Sequence, residues 1–191
     1  MKKVLLVALL AISSLTVFSQ NWYQVGFKIS TSFPTNRDYS IGGDYLSGLM
    51  NADFGVFFRA GRYVYGEVGL GYAFYKGDYT NELLGYKDVR VETRHLQIPI
   101  KVVGNVDMGR VSSFLPYVGI IYQPLLKVTD NEINFNKNTL EKNMTLLTAG
   151  FDLKFGPIVL GVNYRYGLMN FFQNKEGKHS QYVNICAGFQ F

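Results

Sequence analysis

From Tyr23 onward, apolar residues return on every second position in about eight separate stretches, and few folds accept that pattern. Tyr23, Val25, Phe27 and Ile29 alternate with Gln24, Gly26, Lys28 and Ser30. Ala52, Phe54, Val56 and Phe58 alternate with Asp53, Gly55, Phe57 and Arg59, and Val64, Val68, Leu70, Tyr72 and Phe74 with Tyr65, Glu67, Gly69, Gly71 and Tyr75. A fourth stretch sets Leu96, Ile98, Ile100 and Val102 against Gln97, Pro99, Lys101 and Val103. The fifth, PYVGIIYQ, shows less contrast. Two more run through Leu147–Phe155 and Leu160–Leu168, and the last sets Val183, Ile185, Ala187, Phe189 and Phe191 against Asn184, Cys186, Gly188 and Gln190. A period of two is a strand with two unlike faces, and each stretch is near the length that crosses a tilted bilayer.

The connections alternate too. Short links fall near Ala60–Arg62, Asn105–Ser112 and Gly156–Pro157, and long polar ones run through Pro34–Gly48, Lys76–Arg90, Lys127–Asn143 and Phe171–Ser180. Short turns at one end and long loops at the other are the outer-membrane pattern, with the short turns periplasmic. The first connection is long, so both termini are expected in the periplasm. The last strand is then expected to pair with the first, Val183–Phe191 against Tyr23–Phe33, because an open edge in lipid leaves backbone groups unsatisfied.

Residues 1–19 read as a secretory signal peptide: two lysines, an apolar run from Val4 to Ala11, and Val17 and Ser19 suiting the cleavage positions. The run is too short for a spanning helix, and no cysteine follows it to carry a lipid anchor. Residues 20–191 are left as one domain. Losing Lys2 and Lys3 lowers the formal charge from +5 to +3, which gives no reason to expect nucleic acid as a partner. A single cysteine, Cys186, excludes an internal disulfide and reads as an inert buried thiol.

A lipocalin-like barrel also has eight strands but keeps its apolar face inside. Here the second face carries Lys28, Asp53, Arg59, Glu67, Lys101, Asp152, Lys154 and Arg165, together with Gly26, Gly55, Gly69, Gly71, Gly119, Gly150, Gly161 and Gly188. Long charged side chains inside a narrow lumen need glycines opposite them. Aromatics on the apolar face gather near strand ends (Tyr23, Phe33, Phe74, Tyr164, Tyr166, Phe191), where membrane girdles lie. The fold expected is therefore all-β: an eight-stranded antiparallel up-and-down transmembrane barrel.

HLQIPIKVVGN, PYVGIIYQ and GFDLKFGPIVLGVNYRYGLMNFF resemble, in order and spacing, the PorT-type outer-membrane β-barrel family of Bacteroidota. The resemblance covers essentially the whole mature chain and is weakest in the long loops. It implies the barrel fold, an outer-membrane location and, through the family's founder, a link to protein secretion and gliding. The chain departs from the pattern at Gln97, where an acid is common, so an interior pairing that relies on that position has no footing here.

Acids and bases facing one lumen should pair, since an unpaired buried charge is heavily penalised. Two readings follow: a gate or selectivity ring, or a sealed salt-bridge plug, the second favoured because small barrel interiors are filled by side chains. No catalytic set stands out. His95 and His179 are far apart with no metal-ligand spacing, and His179–Ser180, the one adjacent Ser–His pair, would point to opposite faces of a strand. The glycines of VGLGY lie mid-strand, not in a phosphate loop. No cofactor and no enzymatic activity are expected. GDYTNELLGYKDVRVETR and DNEINFNKNTLEKN mix charge, amide and aromatic residues, as binding loops do, though solvated loops look the same. The role expected is structural or interactive: loops presented outside the cell, in support of an envelope or secretion complex. The alternatives are a small-solute or hydrophobic-ligand conduit and, third, a lipid-modifying enzyme. Expected partners are outer-membrane lipid, an envelope protein reached through the loops, and the barrel-assembly machinery, for which Phe189 and Phe191 resemble the recognition signal.

Overall fold

A computed structural model describes residues 22–35, 39–41, 44–81, 86–129, 142–170 and 179–191. The leader expected at 1–19 and most of the expected loops at 127–143 and 171–180 lie outside the described residues. The strands are β1 (Tyr23–Pro34), β2 (Tyr39–Ile41), β3 (Asp44–Gly61), β4 (Val64–Asn81), β5 (Tyr86–Gly104), β6 (Val106–Asp107), β7 (Ser112–Val128), β8 (Asn143–Phe155), β9 (Ile158–Asn170) and β10 (His179–Gln190). β2 and β6 are short and pair only with β3 and β7. The eight long strands run antiparallel round a closed ring, in the order β1, β10, β9, β8, β7, β5, β4, β3 and back to β1.

The closing seam lies between β1 and β10, with Gly26 opposite Gln190, Lys28 opposite Gly188 and Pro34 opposite Tyr182. Reciprocal backbone hydrogen bonds between Val25 and Phe191, 3.1 and 2.8 Å, extend it. A Cβ at Gly188 would run into the Phe27 carbonyl oxygen and the Lys28 stem. Two further glycines shape the short-turn end: Gly61 (φ 145°) and Gly156 (φ 57°) take backbone conformations that L side chains rarely adopt.

Side chains sort as the alternation requires. Leu70 (53% exposed), Ile100 (52%), Val118 (61%) and Ile185 (53%) stand on the outer wall, while the charged face points inward. Tyr23 stacks on Phe58 at 5.9 Å near the short turns, and Tyr72 meets Phe74 edge-on at 4.7 Å towards the other end. Tyr23 and Phe33, ten positions apart on β1, mark the two levels. At the usual strand tilt that spacing covers roughly 25 Å, the height of a barrel's apolar band. Apolar outside and charged inside is the reverse of a lipocalin.

The strands are unequal. β1, β8, β9 and β10 have 12 or 13 residues, whereas β3, β4, β5 and β7 have 17 to 19. A tilted crossing needs only about 9–11. One side of the barrel therefore continues past the membrane as a β-wall, and this corrects the expectation of long loops at 34–48 and 76–90. β3 already begins at Asp44, and β4 and β5 run to Asn81 and from Tyr86. Opposite charges face each other in this register at Lys76 and Glu92, which favours pairing over loop. Lys76 Nζ lies 2.9 Å from Glu92 Oε1. The link at 105–112 is also more ordered than a plain turn, since β6 folds back on β7 there.

Replacing Leu70, Ile100 or Val162 by Arg is expected to cost about 2–4 kcal/mol in lipid, measured by reversible urea unfolding in liposomes. The same change at outward positions nearer the girdles should cost progressively less. Gly188→Leu should prevent seam closure, seen as loss of the mobility difference between unheated and boiled samples that folded barrels show.

Candidate functional site

The lumen holds the functional side chains, and strand register assembles them. Arg59 on β3 stands directly opposite Glu67 on β4, and Glu67 directly opposite Lys101 on β5. Arg59 Nε donates to Glu67 Oε2 at 2.6 Å, and Lys101 Nζ to Glu67 Oε1 at 2.7 Å. Asp152 reaches in from β8 and accepts from Arg59 Nη2 at 2.8 Å and from Lys28 Nζ at 2.5 Å. Arg59 Nη1 donates to Gln190 Oε1 at 2.7 Å, so the guanidinium has a partner on every side. Arg59 and Asp152 are both 0% exposed. Such charges persist away from water only when paired and fully hydrogen-bonded.

Two aromatic rings complete this tier. Arg59 lies over Phe57 at 4.6 Å, Lys101 over Tyr117 at 4.7 Å, and Lys28 within 5.5 Å of both rings. Space for the rings comes from glycine: Phe57 sits between Gly26 and Gly69 in register, and Tyr117 opposite Gly150. A Cβ on Gly26 would meet the Phe57 ring. Each aromatic face takes a cation whose hydration it partly replaces.

A second tier lies further from the short turns. Asp53 accepts from Arg165 Nη1 at 2.9 Å and from Ser30 Oγ at 2.5 Å. Asn163 Oδ1 receives Arg165 Nε at 3.3 Å and Asn184 Nδ2 at 3.0 Å, and Ser32 donates to Asn184. A cavity of about 60 Å³ separates the tiers, bordered by Lys28, Ser30, Asp53, Glu67, Lys101 and Arg165. It has room for a few waters at most. Above it Tyr75 donates to Gln123 Oε1 at 2.9 Å and packs edge-on against His95 at 4.9 Å. Towards the short turns Tyr117 packs with Tyr65, Val103 and Leu115 as an apolar layer under the first tier.

Lys28, Asp53, Arg59, Glu67, Lys101, Asp152 and Arg165 thus face the lumen and are ion-paired. Lys154 faces inward too but does not join them. It lies beyond the apolar layer, at the short-turn mouth, and has no ion-pair partner among the described residues, which corrects its expected place in the network. Phe57, Tyr117 and Gln190 do join it, and sequence reading did not single them out. The signal available was an inward aromatic flanked by glycines. Cys186 Sγ lies 3.8 Å from Asp152 Oδ1, buried. Ser180 is fully buried, whereas His179 packs against Tyr166 at 5.2 Å, and among the described residues neither Ser180 Oγ nor His179 Nδ1 has a hydrogen-bond partner.

An apolar outer band, aromatic girdles, a closed ring and a charged, filled interior together define a transmembrane β-barrel. No protein-family model matches the chain, and no curated protein matches it. Among solved structures it is similar to the N-terminal β-barrel domain of Pseudomonas aeruginosa OprF, at 12% identity and a TM-score of 0.47, covering 90% of this chain and 98% of that one. It is also similar to the outer membrane protein AlkL (12%, TM-score 0.46, 90% of each chain). A third similarity is to Yersinia pestis Ail (15%, TM-score 0.42, 88% of this chain and 99% of that one). These are likenesses of barrel shape alone.

Arg59→Met removes the one group that touches both carboxylates and should cost about 3–5 kcal/mol in urea unfolding of the folded barrel. Lys154→Met, outside the network, should cost less than about 1 kcal/mol.

Proposed function

We propose that this chain is a non-enzymatic outer-membrane barrel whose lumen is sealed and whose work is done by the β-wall that rises from one side. The observation that carries the reading is the continuous stack of paired charges, aromatics and apolar residues from Tyr65 to Tyr75, set beside strands too long for the membrane alone. A stiff wall of paired strands gives a fixed platform for an envelope protein, where a flexible loop would lose entropy on binding. Short turns and termini lie on the periplasmic side in this reading, and the wall faces outward. The resemblance of HLQIPIKVVGN and GFDLKFGPIVLGVNYRYGLMNFF to PorT-type barrels supports a supporting role in protein secretion. Phe189 and Phe191 serve as the signal read by the assembly machinery.

The folded protein in a planar bilayer is expected to show no stable conductance, and a photo-crosslinker at Lys76 in intact cells to yield a protein adduct that one at Val118 does not. Reproducible single-channel steps would favour the conduit instead. Lipid-only adducts at Lys76 would remove the platform role.

A further inference from the structure

The short-turn mouth opens into a second cavity, of about 530 Å³, which the sealed lumen does not explain. Arg62, Arg110 and Lys154 line it, with Asp107 as the acid among them and Tyr65 and Leu115 as its floor. None of the three cations has an ion-pair partner among the described residues. Arg62 rests over the Tyr63 ring at 5.3 Å, and Asp107 is engaged by the Ser113 hydroxyl at 3.1 Å. Lys154 is half-buried, within electrostatic reach of Arg59 beyond the floor as well as of Asp107. The tier beyond the floor adds to the imbalance, since Lys28, Arg59 and Lys101 face only Glu67 and Asp152 there. Three cations against one acid, gathered round one concave recess, give it a net positive potential.

We propose that this vestibule binds a phosphoryl-type oxyanion. Two guanidiniums and one ammonium lining a single recess match a dense, multiply charged group, with arginine giving paired donors and lysine a point charge. An extended acidic peptide would instead need cations strung along a surface. The phosphate can belong to a soluble phosphorylated compound or to a lipid headgroup at the rim; the recognising chemistry is the same.

The test is calorimetric titration of pyrophosphate into the folded full chain in phosphatidylcholine nanodiscs, each variant first checked for the heat-dependent gel shift. Saturable one-site binding is expected. Lys154→Gln should weaken it roughly tenfold or more, the loss of one charge-assisted hydrogen bond. Asp107→Asn should tighten it. Repeating the titration in phosphatidylglycerol nanodiscs separates the sources: weakened pyrophosphate binding there assigns the site to lipid phosphate, and unchanged binding assigns it to a soluble compound. The proposal is overturned if the wild-type chain shows no saturable binding, or if both Lys154→Gln and Asp107→Asn leave binding as it was. It is equally overturned if a hexaglutamate peptide binds more tightly than pyrophosphate.

Discussion

A single guanidinium, that of Arg59, holds two carboxylates from different sides of the barrel, and the interior is organised round it. Glu67 reaches it from the neighbouring strand and Asp152 from across the lumen, while Gln190 fills its remaining edge. In a medium that cannot hydrate them, these groups are tolerable only as a set. Removing any member exposes the charge of the rest. Lys28 and Lys101 are each tied to one of the two acids, so the constraint spreads to β1 and β5. Glycine follows from the same demand. The close approaches at Gly26 and Gly161 make room for the Phe57 ring and the Asp152 carboxylate inside a narrow ring of strands.

The faces of the strands were legible in the sequence because the bilayer enforces them. Between the girdles every outward position meets hydrocarbon and every inward one meets another side chain, so the period of two survives in composition. PYVGIIYQ looked weak for a reason the structure supplies. Tyr117 and Ile121 are apolar yet point inward, into the apolar layer and the wall of the small cavity, and so blur the contrast with Val118 and Ile120. Above the membrane the enforcement ends. Residues 76–92 mix charges with turn-formers and read as loop, although cross-strand pairs such as Lys76–Glu92 were there to be matched.

The site was legible as a list of residues but not as a set of bonds. Partners on adjacent strands, such as Arg59 and Glu67, could be matched once the short turn between them was placed. Lys28 and Asp152 could not, because they meet across the ring at a separation of 124 residues. That contact depends on how the whole sheet closes. The same dependence explains Lys154: two positions beyond Asp152 on one strand, it shares a face with the network but falls on the far side of the apolar layer. Inward-facing charge in a barrel thus identifies a population, and height along the axis divides it.

The interior bonds also cross the seam where β1 meets β10. Lys28–Asp152, Arg59–Gln190 and Arg165–Asp53 each join a strand on one side of that seam to a strand on the other, and Ser32–Asn184 spans it directly. The two closing strands are therefore fastened by chords through the lumen as well as by their backbone ladder. Sideways parting of the wall, the route by which a hydrophobic molecule would pass from lumen to lipid, would strip buried ions of their partners. The ion pairs that cross-link the interior thus also oppose a lateral opening of the wall.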